Sequence, residues 1–246
     1  MSPDVSSVRA GVMYDVDLHR SPSLDNVSAT VEPGRQMSVL SMAKRTYSDG
    51  SGGTVYEVKA GNLKGWVESE HVTTSSQYQK DKKLLKSLRS SGKTAIPVRQ
   101  EMSKNSADGI TVSLVVGNIS DTKTIKYIRA TWKLFNGVGD PVRGENSGES
   151  TAKVRLTGPI KPKELSTFTA EDLWYSSTGT CAELRGIQVQ HIDGSTSTIT
   201  DLKAVSRPSI TNAFQRAEGI SSISVILGDP VKVSGDCSYD AQQSRQ

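Results

Sequence analysis

The sequence has few of the residues that build large aromatic cores or crosslinked frameworks. Aromatic side chains make up 5% of the 246 residues and hydrophobic ones 35%, and there are two cysteines, Cys181 and Cys237. Two cysteines are too few for a disulfide framework, and they lack the CxxC spacing of a zinc site. They either form one bridge, if the protein works outside the cytoplasm, or remain two buried free thiols.

Long apolar runs are missing as well. No stretch of about 18 apolar residues occurs, so the sequence predicts no transmembrane helix. The opening residues, MSPDVSSVRAG, lack the charged and apolar regions of a signal peptide. We therefore expect a cytoplasmic protein or, if a leader has been removed, an extracytoplasmic or secreted one.

The usual signatures of catalysis do not occur. The three histidines, His19, His71 and His191, lie far apart, and none stands in a His-x-x-x-His or Gly-x-Ser-x-Gly setting. No Gly-x-x-x-x-Gly-Lys phosphate loop is found either. The sequence thus predicts a protein that is not an enzyme and that uses neither a cofactor nor a metal.

What the sequence does contain is short apolar runs separated by turn residues, a pattern typical of β-structure. The length suits two domains. The first covers 8–74, after an arm at 1–7, and its apolar residues alternate on both sides of the Pro33-Gly34 turn. This pattern predicts a small barrel of five or six strands.

Two segments of the first domain carry a resemblance. LHRSPSLDNVSATVEPGRQMSVLS and LKGWVESEHV resemble a bacterial SH3-like domain, although Tyr56 stands where that family often has a tryptophan. The resemblance implies a non-catalytic barrel that binds cell-wall peptides or protein segments in a groove. Flat amphipathic rings hold a peptide with little loss of entropy, so the implied lining residues are Tyr14, His19, Tyr47, Tyr56 and Trp66. The alternative places Trp66 in the core and leaves His19 an ordinary surface residue.

Residues 75–93 differ sharply in composition from the first domain. A narrow apolar stripe on a cationic background, followed by a glycine stop signal, predicts one basic helix between two domains. The helix is a solvated connector, or it contacts an anionic membrane surface or an acidic partner. Nucleic acid is not expected, because no aromatic residues interleave with the lysines. The candidate contact residues are Lys80, Lys82, Lys83, Lys86 and Arg89.

The second domain, 94–207, has a period of two. In its second strand Tyr127, Arg129, Thr131 and Lys133 point one way, and Ile128, Ala130, Trp132 and Leu134 point the other. The pattern predicts about seven antiparallel strands in an immunoglobulin-like sandwich, with Trp132 as a large core residue.

Three segments of this domain carry a second resemblance. TIKYIRATWKLFNGVGDPV, LTGPIKPKE and LWYSSTGTCAELRGIQVQHIDGS are similar to a β-sandwich domain found repeatedly in bacterial envelope-associated and secreted proteins. Phe135 and Gly137 vary the usual turn residues of that family. The resemblance implies a structural or binding module. Trp174 and Tyr175 either pack in the core, with a tyrosine-corner hydrogen bond, or form an exposed recognition patch.

The last segment, 208–246, is too short for a domain. Apolar residues at 222–227 and 231–233 flank a Gly-Asp-Pro turn, which predicts a hairpin. The hairpin either completes the edge of the sandwich, with Cys237 bridging Cys181, or adds a strand to a neighbouring subunit.

The sequence as a whole predicts an all-β protein, in which a small SH3-like barrel and an immunoglobulin-like antiparallel β-sandwich are joined by one short basic helix. We expect a non-enzymatic binding or structural protein of the bacterial cell envelope or a secretion apparatus, which contacts other proteins or peptidoglycan. The alternative is a structural subunit of a large assembly, such as a secretion system or a phage particle, held by its tail and linker.

Overall fold

The structure, a computed structural model, describes residues 7–10, 16–32, 34–48, 50–206, 208–218, 231–233 and 235–237. Three antiparallel sheets make up most of it, which confirms the predicted all-β class. The described chain divides into two compact units. Unit 1 contains the residues up to Leu84 and those from Asn212 to Glu218, and unit 2 contains Leu85–Thr211 and Val231–Cys237.

Unit 1 is built on one seven-stranded sheet in the order β3-β2-β6-β5-β4-β1-β7. Valines from both ends of the sheet, Val31 of β3 and Val72 of β7, pack on the same apolar core, so the sheet wraps around that core. The sheet has more strands than the five or six predicted, since it also contains the short β1 and β7, which pair with each other. The strands are β1 Ser7–Ala10, β2 Val16–His19, β3 Val27–Val31, β4 Gln36–Thr46, β5 Gly52–Ala60, β6 Leu63–Glu68 and β7 Val72–Thr74.

The predicted basic helix is present as α1, Ser75–Ser90. Thr74 caps its start, because Oγ1 of Thr74 accepts a hydrogen bond from the backbone N–H of Gln77. Its end is closed by Gly92, which has a φ of 76° that a side chain would strain. The backbone N–H of Lys93 then reaches back to the last turn of the helix. Both ends of α1 thus follow from residues of the local sequence.

Unit 2 is a sandwich of a three-stranded sheet, β12-β9-β8, and a four-stranded sheet, β11-β10-β13-β14. The number of strands agrees with the seven expected. In constant-type immunoglobulin domains the fourth strand lies in the sheet of the first two, whereas β11 here pairs with β10 in the other sheet. The strands are β8 Ala95–Lys104, β9 Gly109–Asn118, β10 Ile125–Asn136, β11 Thr151–Ile160, β12 Leu165–Tyr175, β13 Gly179–His191 and β14 Thr196–Ile199.

A second long helix replaces part of the predicted C-terminal tail. After the short α2, Leu202–Val205, helix α3 covers Pro208–Glu218. Four residues at helical spacing are buried in α3: Ile210, Ala213, Phe214 and Ala217. Sequence analysis missed this helix, although a proline at its start and the spacing i, i+3, i+4, i+7 are both helix signals.

Within unit 1 a buried ion pair connects α3 to α1. Asp81 is 3% exposed, and its carboxylate accepts two hydrogen bonds from Arg216, of 2.7 and 3.0 Å. Gln77 donates a third hydrogen bond to Asp81 at 2.7 Å. A bidentate arginine compensates the charge of a buried carboxylate well, so this contact holds α3 on α1.

Candidate functional site

The five residues predicted to line a groove do not share one surface. Tyr14 lies outside the described residues. Trp66 and His19 are direct neighbours on β6 and β2, on the outer face of the sheet, opposite to the face that packs on the core. Both are half-buried. Trp66 therefore does not belong to the core of unit 1, and its ring is accessible beside an imidazole.

The close approach of β6 to β2 depends on the residue before Trp66. A Cβ on Gly65 would lie 2.8 Å from Cβ of Leu18 and 2.9 Å from the carbonyl oxygen of His19. Only glycine fits that space. Nδ1 of His19 is buried and has no hydrogen-bond partner among the described residues. The pair thus offers an accessible aromatic ring beside a half-buried imidazole.

Tyr47 lies further along the same outer face, in a charged network around Glu68. Its hydroxyl donates to Oε1 of Glu68 at 2.9 Å, and Arg45 donates to the same oxygen at 3.1 Å. The bond to Glu68 raises the pKa of Tyr47. Burial opposes ionisation of Glu68, but the hydrogen bond from Tyr47 and the charges of His71 and Arg45 outweigh it, so the pKa of Glu68 is lowered. Glu68 is therefore ionised and fixed.

The same network contains three groups with metal-ligand chemistry. Ligand atoms of Glu68, Glu70 and His71 lie within 4.8 Å of one another. One oxygen of Glu68 is already occupied by Arg45 and Tyr47, and His71 approaches the other oxygen at 3.5 Å. An arginine in the same network disfavours a cation, so we assign the network to electrostatic stabilisation of the outer face.

Tyr56 lies on the opposite side of the sheet from Trp66. The strand register places it opposite Val67, a core residue, and opposite Met42 of β4. Tyr56 packs partly on the core, whereas Met42 is 51% exposed. Val67 and its neighbour Trp66 point to opposite faces of the sheet, because side chains alternate along a strand. Tyr56 shares the face of Val67 and therefore lies on the other side of the sheet from His19 and Trp66.

The five basic residues of α1 serve different purposes. Lys80, Lys83 and Lys86 are exposed, while Lys82 lies over the ring of Tyr78 with 5.7 Å between its ammonium and the ring centre. Arg89 is engaged within unit 2, where it donates to the carbonyl oxygen of Ile119 and pairs with Asp121 at 3.4 Å. Arg89 is thus a structural residue, and three exposed lysines remain for a surface contact.

The pair Trp174 and Tyr175 is divided between the core and the surface. Trp174 is completely buried, so it cannot form part of an exposed recognition patch. Its neighbour Tyr175 is half-buried, and the charge of Asp172, together with a hydrogen bond to that carboxylate, raises its pKa. The patch prediction fails for Trp174, because it lies opposite Ile110, a core residue of β9, and so shares the buried face of the sheet.

The described part of the tail packs on its own sandwich. Cys181 and Cys237 form a disulfide, and Val233 makes a parallel bridge with Leu184 of β13. Glu183, which is 1% exposed, accepts hydrogen bonds from the backbone N–H groups of Gly235 and Cys237, each at 2.9 Å. The first predicted strand of the hairpin, 222–227, lies outside the described residues.

The four-stranded sheet carries a surface that sequence analysis did not identify. A depression of about 480 Å³ is lined in part by Gly186, and we name the polar residues around it the basic sheet face: Arg129, Thr131, Lys153, Arg155, Gln188 and Thr198. Its three cations are exposed. The alternation in β10 predicted the direction of Arg129, but not that β11 would bring two further cations beside it.

Among the described residues no helix is both long and apolar enough to cross a membrane. The sites described above are one sheet face in each unit and three lysines on α1. Comparison of the chain with protein-family models gives no match, and comparison with curated proteins gives none either.

Proposed function

We propose that this chain is a non-enzymatic binding protein of the bacterial cell envelope or of a secretion apparatus. In this proposal unit 1 is an SH3-like barrel and unit 2 an immunoglobulin-like sandwich, as the sequence resemblances imply. The observation that carries it is the pair of Trp66 and His19 on the outer face of unit 1. A half-buried tryptophan beside a half-buried histidine is an arrangement suited to an amphipathic ligand.

The surroundings of this pair favour a peptide with amide and amine groups. Glu57 lies opposite Trp66 on β5, where hydrogen bonds from Lys64 and then Ser41 lower its pKa. Glu68 lies two residues beyond Trp66 on the same face. The Trp66 ring provides apolar contact area, and the carboxylates of Glu57 and Glu68 can select amide and amine groups of a ligand. A protein segment or a peptidoglycan stem peptide contains both kinds of group.

The disulfide supports a place outside the cytoplasm. Bridges such as Cys181–Cys237 persist mainly in oxidising compartments. The same bridge holds the described tail on its own sandwich, which leaves the sheet faces for partners.

Co-sedimentation with purified peptidoglycan tests the proposal. We expect the wild type to sediment and Trp66→Ala to lower the bound fraction about tenfold, with a smaller effect for His19→Ala. Tyr127→Ala is the matched control, since it removes a half-buried aromatic ring from unit 2. Should peptidoglycan not bind, the same variants are tested on peptides displayed in a library. Retention equal to the wild type for Trp66→Ala on both ligands would refute this site.

A second candidate function is a structural subunit of a large assembly. It is favoured by exposed apolar side chains on β4, where Leu40 is 48% and Met42 is 51% exposed. Native mass spectrometry of the protein purified from its source distinguishes the two functions. A stoichiometric complex that Met42→Glu dissolves supports the assembly, and a monomer excludes it.

A further inference from the structure

We infer that the basic sheet face of unit 2 binds an acidic, extended polypeptide segment of a partner protein. This inference uses other residues and another unit than the Trp66 site, so it does not depend on the function proposed above. The exposed cations Arg129, Lys153 and Arg155 carry it.

The first argument is the repulsion built into this face. Arg129 and Arg155 are directly opposite each other on β10 and β11. Such neighbours have Cβ atoms about 5 Å apart, and like charges in this position destabilise a sheet. Cations placed against the preference of the fold are expected where a ligand supplies the missing charge.

The second argument is that no carboxylate in the described part of the chain neutralises these cations. The guanidinium of Arg129 donates to the amide oxygen of Gln188 at 3.4 Å, and Arg155 lies 5.0 Å from the ring centre of Tyr127. Both partners are uncharged. Among the described residues, no carboxylate lies within ion-pair distance of Arg129, Lys153 or Arg155.

One carboxylate on this side of the sheet, that of Glu183, is buried and does not pair with Arg129, Lys153 or Arg155. The register places Glu183 on the same side of the sheet, opposite Lys133. It is 1% exposed, because the turn at Gly235 and Cys237 covers it, and Arg185 pairs with it at 2.5 Å. The described tail therefore hides the acidic group that the strands would otherwise present, and the open part of the face is purely basic.

The third argument is the shape of the face. A Cβ on Gly186 would meet no atom within 4 Å, so the missing side chain leaves a trough in the sheet. The hydroxyls of Thr131 and Thr198 line this trough and can pair with backbone groups of a bound chain. Charge is thus combined with donors and acceptors that suit a polypeptide.

The spacing of the cations specifies an extended ligand. Lys153 and Arg155 are alternate residues of β11, about 7 Å apart. An extended peptide has the same repeat between alternate side chains. A segment with an acidic residue at every second position would therefore set one carboxylate beside each cation, with bidentate pairing at the arginines.

Nucleic acid fits this face less well. Single strands gain much of their affinity from bases stacked on aromatic rings. Tyr127, an aromatic residue beside this face, has Arg155 at 5.0 Å and Lys126 at 5.2 Å from its ring centre. Cations already cover the ring, so the face offers charge without a stacking platform.

Fluorescence anisotropy with a labelled peptide of alternating glutamate and threonine, about twelve residues long, tests the inference on the full chain. We expect saturable binding that weakens with salt, and a loss of at least about tenfold in affinity for the double variant Arg129→Ala/Arg155→Ala. The control Lys80→Ala/Lys83→Ala removes the same charge from α1 and should change the affinity less than about twofold. The equivalent glutamine–threonine peptide should not bind.

A second variant keeps the test decisive if the double variant does not fold. Gly186→Val partly fills the trough and leaves both arginines in place, and its Cβ would meet no atom within 4 Å. It should retain the melting temperature of the wild type and lose binding by a similar factor. The inference is overturned if the acidic peptide does not bind the wild type, if the α1 control weakens binding as much as the arginine variant, or if neither Gly186→Val nor the arginine variant weakens it. It is also overturned if a labelled oligothymidine binds this face more tightly than the peptide.

Discussion

Nε1 of Trp132 donates a hydrogen bond of 3.2 Å to the side-chain oxygen of Gln100, and the two residues lie in opposite sheets of the sandwich. Gln100 is 4% exposed, and its amide nitrogen donates to the carbonyl oxygen of Ala182. The facing sheet thus satisfies both polar ends of one buried side chain. Buried polar groups of this kind define how two layers stack, because any displacement would leave them unpaired.

The pair Gln100 and Trp132 should show energetic coupling. Gln100→Leu leaves the indole N–H and the Ala182 carbonyl without a partner, and Trp132→Phe leaves the glutamine oxygen without its donor. We expect each to lower the free energy of unfolding by about 1–3 kcal/mol. Urea denaturation of both single variants and the double variant measures the coupling. Losses that simply add would contradict a shared hydrogen bond.

The buried His191 should make stability fall in mild acid. Burial, and then the charge of Lys123, lower its pKa in the folded state despite the opposing effect of Asp193. The unfolded chain, with a pKa of about 6.5, therefore takes up the proton first as the pH falls. The stabilisation is complete above about pH 6.5 and is lost as the pH falls through the folded pKa.

Unfolding at several pH values checks this, with His191→Gln as the variant that cannot titrate. Glutamine can still bond to Thr94, whose hydroxyl lies 3.1 Å from Nε2 of His191. Between about pH 7 and 5 we expect the wild type to lose more stability than the variant. Parallel pH profiles would mean that the imidazole does not govern this range.

Glu68 should stabilise unit 1 with the charge it carries at neutral pH. Its pKa is lowered in the folded state, since the bonds from Tyr47 and the nearby cations outweigh burial. The contribution is present above the unfolded pKa of about 4.3 and is lost as the pH falls through the folded pKa. Glu68→Gln should lower stability by about 1 kcal/mol near neutral pH and much less in acid. Glu32→Gln, an exposed carboxylate elsewhere in the unit, should cause no comparable loss.

Removal of the disulfide should weaken unit 2 strongly. Cys181 and Cys237 are 56 residues apart in sequence, and closing a loop of that size stabilises by about 4 kcal/mol in the chain-entropy model. The variant Cys181→Ala/Cys237→Ala should therefore unfold at lower urea concentration. Its tail should also become a site of limited proteolysis, because Val231 and Val233 lose their anchor. An unchanged midpoint with a protected tail would show that the backbone pairing with β13 is sufficient.

Replacing Arg216 alone should lower the free energy of unfolding more than replacing both Arg216 and its ion-pair partner Asp81. Arg216→Ala leaves a buried carboxylate that keeps the hydrogen bond from Gln77 but has lost its cation. We expect a loss of about 3–5 kcal/mol in the free energy of unfolding. Adding Asp81→Leu to the same chain should recover part of this loss. A double variant less stable than Arg216→Ala would contradict the interpretation that the unpaired charge causes the loss.

Local patterns predicted the elements whose neighbours are close in sequence. The alternation around Trp132 placed its side chain in the core, and the apolar stripe with Gly92 predicted α1. Helix α3 was not predicted, although Pro208 at its start and four apolar residues at helical spacing are helix signals. Local patterns also could not show whether the predicted groove residues share one face of the sheet. The register of β5 and β6 places Trp66 and Tyr56 on opposite faces.

By itself, the sequence determined which side chains of one strand share a face, since that direction alternates along any extended chain. It also determined where α1 begins and ends, through contacts within a few residues. Tertiary structure alone decided that Arg155 lies beside Arg129, that Cys237 reaches Cys181 and that Gln100 meets Trp132. The physical reason is that the packing of the whole core selects which strands become neighbours. That packing depends on residues from many segments, so no single segment specifies it.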